Sequence, residues 1–109
     1  MSNFYHHGDY NSVVESVIQL LNDSTFQFKN QGHLCLGLSY LKLDQAELAI
    51  KQFRMIDREN PSLKYDALWY EAMAYLQQAD KENTISALIQ LSESKEYSKK
   101  ASQLIQLLQ

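Results

Sequence analysis

Few residues of this chain are of a type and spacing that do chemistry, and none of them makes a complete set. Cys35 is the only cysteine and the first candidate nucleophile, with His33 two residues before it as the nearest base. Residues two apart on a helix point to different faces, so the thiol gains no base and is expected to be a small packing residue. A lone thiol forms no intrachain disulfide and leaves the redox compartment open. His6 and His7, with Asp9 nearby, are the metal-ligand candidates. Adjacent loop residues seldom converge on one ion, and nothing completes a set of four. Asp57, Arg58 and Glu59, just before Asn60 and Pro61, read as a solvated helix end. There is no glycine-rich phosphate loop, no HExxH, no paired cysteines and no G-x-S-x-G. No catalytic residue, cofactor or metal is expected, and the chain is not expected to be an enzyme.

The elements that carry these residues read as helices. Hydrophobic residues make up 45% of the 109, enough for one packed core and too few residues for two comfortable domains. Three glycines and one proline are too little punctuation for a many-stranded β fold, which needs a turn signal every 8–12 residues or so. The net charge of −3 disfavours nucleic acid as a partner, because such proteins gather Lys and Arg on one face. The most basic stretch, Lys95 to Lys100, also contains Glu96 and reads as a solvated helix end. The first residues lack the charged start and apolar run of a signal peptide. No apolar segment approaches the roughly 20 residues of a membrane helix, so direct membrane insertion of this segment is not expected, and the compartment stays open.

The segment His33 to Pro61 carries the strongest pattern: Leu36, Gly37 and Tyr40, then Ala49 and Phe53, then Pro61. These match W-x2-L-G-x2-Y, A-x3-F and a closing proline at the expected offsets, with His33 in place of the tryptophan. By background composition, six such matches arise on the order of once in ten million starting positions. The chain thus resembles the tetratricopeptide repeat family, with a full repeat at about 30–63. Gly37 and Ala49 let two helices approach, Tyr40 and Phe53 fill the space between, and Pro61 breaks the second helix. A degenerate copy at about 65–98 is shifted by 35 residues: Leu68, Ala72 and Tyr75, then Thr84 in place of Ala49, Leu88 and Leu91, with no closing proline. One extra residue therefore sits in the connection.

Upstream, Tyr10, Val13, Val14, Val17, Leu20 and Leu21 form one helical stripe, with Ser12 and Glu15 as a possible capping box. With Gly8 at its turn and Phe4 at its tyrosine position, this partial repeat (1–27) has lost its first turns, which reads as the C-terminal piece of a longer protein. The remaining helices are expected at about 26–43; from an Asp44 cap with Glu47, along Ala46, Ala49, Ile50, Phe53 and Ile56; at about 64–77; at about 81–93 from an Asp80 cap; and at about 96–109. The last carries Tyr97, Ala101, Leu104, Ile105 and Leu108 on one face, with Lys99, Lys100 and Gln103 toward water, and caps the array. The expected architecture is all-α: five substantial helices in tandem antiparallel hairpins, an α-solenoid, with a short sixth helix around Phe4 and Tyr5.

The resemblance implies a concave groove that binds a protein or peptide through the first helices of successive hairpins. Carried over, the contact positions are Gln31, Leu34, Leu38, Leu41 and Lys42, then Asp66, Trp69, Met73, Leu76 and Gln77. Leu34, Leu38 and Leu41 form one helical stripe and Trp69, Met73 and Leu76 another. Two apolar faces on each helix mean either full burial or an exposed interaction patch. Leucines occupy two places where some family members clamp a carboxylate, so an amphipathic helix or apolar peptide is the better fit. The other open readings are self-assembly, as a homodimer or through an exposed array end, and RNA binding, which the acidic balance opposes.

Overall fold

In the computed structural model, which describes residues 9–109, every regular element is helical. The helices are α1 (Tyr10–Asn22), α2 (Lys29–Lys42), α3 (Ala46–Arg54), α4 (Pro61–Gln77), α5 (Lys81–Ile89) and α6 (Ser98–Leu108). Each packs against its neighbours in the chain, and α2 also touches α4. The six helices correspond to the six segments located one by one in the sequence, one more than the count of five substantial helices stated for them. The short helix expected around Phe4 and Tyr5 lies outside the described residues.

Two helix pairs share one local design. Helix α3 and helix α5 are each nine residues long, and α5 begins and ends 35 residues after α3. The turns before them close alike. Asp44 and Ala79 both adopt left-handed backbone, with φ 60° and 59°. The Gln45 amide donates to the Tyr40 carbonyl at 2.8 Å and the Asp44 amide to the Leu41 carbonyl at 3.1 Å. Asp80 and Ala79 do the same to Tyr75 and Leu76, both at 2.9 Å. This is the Schellman closure, which satisfies the last free carbonyls of a helix.

That closure corrects the capping expected at Asp44. Asp44 ends α2 in the left-handed region, and Gln45, with no side-chain bond, precedes α3. Asp80 does cap α5, accepting from the Asn83 amide at 3.1 Å. Ser12 is no cap either, because α1 already begins at Tyr10 and places it inside the helix. Pro61 opens α4 rather than closing α3, which ends at Arg54. The Asn60 side chain accepts from the amides of Ser62 and Leu63, and a proline at the first helical position loses no bond.

Three apolar clusters follow the chain. Val13 and Val17 of α1 meet Leu36 of α2, with Val14, Leu21 and Cys35 around them. Ala49, Ile50 and Phe53 of α3 meet Ala67, Ala74 and Tyr75 of α4. Leu68 and Ala72 of α4 meet Leu88 of α5, Leu91, Tyr97 and Ala101 of α6. Helices α2 and α4 each serve two clusters, so apolar residues run round them instead of forming one stripe.

The closest approach is at Gly37. A Cβ built there would lie 2.8 Å from Cδ1 and Cζ of Phe53, and closer still to Cε1, with the ring itself fully buried. Gly32, which the sequence pattern did not single out, stands in the same relation to Leu21, at 2.8 Å from Cδ2. In the second hairpin Thr84 replaces Ala49; it is fully buried, and its hydroxyl donates to the Asp80 carbonyl at 2.7 Å. The polar atom is satisfied within its own helix, which makes the exchange tolerable.

Two substitutions test this packing. Gly37→Leu gains about 1 kcal/mol of helix propensity but overpacks the Phe53 contact by about 3 kcal/mol or more, so stability in urea falls by about 2 kcal/mol or more. Ala79→Gly removes about 1–2 kcal/mol of left-handed strain against about 0.4–1 kcal/mol of added chain entropy, so the variant unfolds at higher temperature, by about 0.5–1 kcal/mol in stability.

Candidate functional site

A groove of ≈ 500 Å³ opens between the start of α1, one face of α2 and the middle of α4. Four of the sequence-derived positions line it, namely Gln31, Leu34, Leu38 and Lys42, all from α2. They are joined by Tyr10, Cys35, Ser39 and Tyr70. Leu34, Leu38 and Tyr70 are only half-buried, each with one side packed against the cluster shared by α3 and α4. The apolar stripe of α2 is thus neither wholly buried nor wholly free. Tyr70 is held by offset stacking on Phe53, with centroids 6.1 Å apart and planes at 29°. Ser39 donates to the Cys35 carbonyl at 3.0 Å, so its hydroxyl is occupied. Lys42 is the single charge on the lining, at the end of α2.

Of the remaining positions, Leu41 packs beside the same cluster, and its carbonyl accepts from Gln77 Nε2 at 3.1 Å, tying the ends of α2 and α4 together. The other α4 positions do not line this groove. Asp66 accepts a short hydrogen bond from the Tyr97 hydroxyl. Trp69 stacks on the Tyr97 ring at 5.3 Å and 19°, and Lys100 Nζ stands 5.9 Å from the indole centroid. Lys100 is exposed, yet it covers both rings, which a helix end facing only water would not do. Met73 packs on the cluster that contains Leu88 and Ala101, while Leu76 is 37% exposed. In effect the α2 stripe meets α4, and the α4 stripe meets the residues that lead into and form α6.

Tyr70, Tyr10, Ser39 and Cys35 were absent from the sequence-derived positions. A signal for Tyr70 existed: it stands 35 residues after Cys35, the same offset that relates the two hairpins. Cys35 therefore packs, as expected, but with one side on the groove. His33 faces elsewhere, with Nδ1 2.9 Å from Gln52 Oε1 across the first hairpin. Among the described residues no cluster of three His, Cys, Asp or Glu side chains is placed to hold a metal; His6 and His7 lie outside them. No helix among the described residues is long and apolar enough to cross a membrane.

Of the charged residues expected at a solvated helix end, Asp57 and Glu59 are exposed, but Arg58 is half-buried. Glu71 of α4 is buried, and its carboxylate accepts from Arg54 Nε at 3.2 Å and from Arg58 Nη2 at 2.8 Å. Arg58 Nη2 also donates to the Phe53 carbonyl at 3.1 Å, and Arg54 donates to the Tyr75 hydroxyl. Glu71, first among its partners, holds the Arg54 guanidinium even more firmly in its charged form. Arg58 is therefore a packing residue between α3 and α4, where a solvated one was expected. Buried carboxylates survive only when so paired.

Neither a family model, nor a curated protein, nor a solved structure matches this chain in comparisons with known proteins.

The Tyr97 hydroxyl predicts a pH response. Burial, then the hydrogen bond and charge of Asp66, raise its pKa well above the ordinary value of 10.0. The folded chain keeps this proton where the unfolded chain loses it. The contribution is complete below about pH 10 and is lost as pH rises through the folded pKa. Wild-type stability should thus fall more steeply above about pH 10 than that of Tyr97→Phe, measured by urea unfolding between pH 9 and 11.

Proposed function

We propose that this chain is an array of tetratricopeptide-type hairpins that binds the apolar face of a partner protein's helix or peptide, without catalysis. The family reading rests on the signature residues Leu36, Gly37, Tyr40, Ala49, Phe53 and Pro61 and on two helix pairs offset by 35 residues. The binding reading is carried by one observation: the ≈ 500 Å³ groove is lined by Leu34, Leu38 and Tyr70, with amphipathic Tyr10 at its rim and one cation, Lys42. Half-buried leucines and tyrosines offer apolar area together with hydroxyl groups for a partner's backbone, and tyrosine is among the residues enriched at binding hot spots. An amphipathic helix with an acidic residue near one end would complement it.

Self-association is favoured by a different observation. Ile89, 58% exposed, lines the cleft between α5 and α6, Leu107 of α6 is 82% exposed, and at the opposite end of the chain of helices Ile18 and Leu20 are 38% and 47% exposed. Ends of this kind can stack head to tail.

The two readings separate by experiment. Peptides selected on the chain from a random display library should shift the amide resonances of Gln31, Leu34, Leu38, Lys42 and Tyr70. Leu38→Ala should weaken them by about 2 kcal/mol, a hot-spot loss, in a variant that urea unfolding shows to be still folded. Selected peptides that map onto α5 and α6 would sink the groove reading. A sedimentation coefficient that rises with concentration, and that Leu107→Glu returns to the monomer value, would establish self-association instead.

A further inference from the structure

A second cavity, of ≈ 310 Å³, lies on the face of α4 away from the groove, between the end of α3 and the end of α5. Arg54, Arg58, Lys64, Glu71 and Gln90 supply its polar lining, with Leu68 as its apolar wall. Three cations surround a single carboxylate, an excess of two positive charges in a chain whose net charge is −3. Both guanidinium groups are already oriented, because each donates to a different oxygen of Glu71. Glu71, the Tyr75 hydroxyl and the Phe53 carbonyl occupy Nε and Nη2 of Arg54 and Nη2 of Arg58, and the Nη1 groups take no part in these bonds. Arg58 Nη1 is buried without a hydrogen-bond partner among the described residues, although such a group is costly to leave unpaired. Lys64 is not held in the pair; its ammonium rests 5.3 Å from the Tyr65 ring centroid. Neighbouring acids do not cancel the excess: Asp57 and Glu59 are exposed and off the lining, and Asp57 Oδ1 accepts from the Glu59 amide at 2.9 Å.

We propose that the cavity lined by Arg54, Arg58 and Lys64 is a binding site for a dianionic phosphate group. A phosphate carries about −1.5 to −2 charges at neutral pH, which matches the excess. Its oxygens accept several N–H bonds at once, and the planar guanidinium fork presents donors in the geometry that phosphate takes. A carboxylate would neutralise only half of the excess. Glu71 keeps the arginines apart and pointed, so the site is formed before the ligand arrives. The phosphate comes either as the free ion or as the monoester of a phosphorylated serine on a protein, and the two sources share this chemistry.

The experiment titrates the whole chain with inorganic phosphate and, separately, with N-acetyl-phosphoserine amide, at a constant ionic strength of about 0.1 M maintained with chloride. The readout is the side-chain Nε–H resonances of Arg54 and Arg58. Saturable shifts of both are expected, whereas exchange of chloride for acetate leaves them in place. Lys64→Gln, which does not touch the Arg–Glu pairs, should keep the melting temperature and weaken binding about fivefold or more, as loss of one nearby cation requires. Arg58→Gln should abolish the shift at Arg54, and Arg58→Lys should restore part of it. Tighter binding of the phosphoserine amide identifies a monoester as the ligand, and tighter binding of inorganic phosphate identifies the free ion. Absence of saturation with both, equal shifts with acetate, or unchanged affinity in Lys64→Gln overturns the proposal.

Discussion

The Phe53 ring occupies the place that a side chain at position 37 would need, and much of the remaining arrangement depends on that exclusion. Because Gly37 has no Cβ, α2 and α3 close onto the ring until it is fully buried. Its other side supports Tyr70, which brings α4 against the same hairpin. The Phe53 carbonyl receives Arg58, the cation that also reaches Glu71. One aromatic residue therefore sets the spacing within the first hairpin, the seat of a groove residue and the path of the chain into α4. The second hairpin reaches a similar fit by exchanging volumes at the same offset. Ala72 stands for Gly37 and Leu88 for Phe53, a methyl gained on one helix and a ring lost on the other. Close packing tolerates such paired changes better than single ones.

Polar contacts then decide how the hairpins join. Glu71 is buried in the contact between α3 and α4, and two arginines reach it from the end of α3 and the turn beyond. A charge in that position specifies a single alignment, since a slipped register would leave it unpaired. The same contact divides α4 into unlike faces. Tyr70 turns toward an apolar groove with one lysine at its edge, whereas Lys64, Leu68 and Glu71 lie three and four residues apart on a face that gathers cations. A single helix thus borders two recesses with opposite chemical preference.

Helix α6 and the turn before it end this progression. Tyr97 donates to Asp66 and stacks on Trp69, and Ala101 joins the cluster of Leu68 and Leu88. Three of the α4 residues that match the groove positions of α2, Asp66, Trp69 and Met73, are thereby engaged by the chain's own C-terminal part. What remains open is the α2 side, where Tyr10 and Tyr70 border the recess.

Helix content and the hairpin turns were legible in the sequence because they depend on local chemistry, and the Gly37 contact because the repeat-like spacing pairs Gly37 with Ala49 and Phe53. Apolar spacing marks a helix, and the 35-residue offset carries the turns with it. Asp80 before a helical run reads as a cap for the same reason. Asp44 misled because an aspartate before a helix and an aspartate ending one look alike until the backbone angle is known. The α2 part of the groove was legible and the α4 part was not. A helical stripe says which residues share a face, but only the rotation of α4 about its axis decides whether Trp69 or Tyr70 looks into the recess. That rotation is set by contacts distant in sequence: Phe53 under Tyr70, Tyr97 on Trp69, and Arg54 and Arg58 on Glu71. Arg58 gave no local sign of its partner thirteen residues away. Sequence by itself determined what each helix has to bury, and tertiary structure alone decided which neighbour buries it, because packing and charge pairing act between residues that periodicity cannot relate.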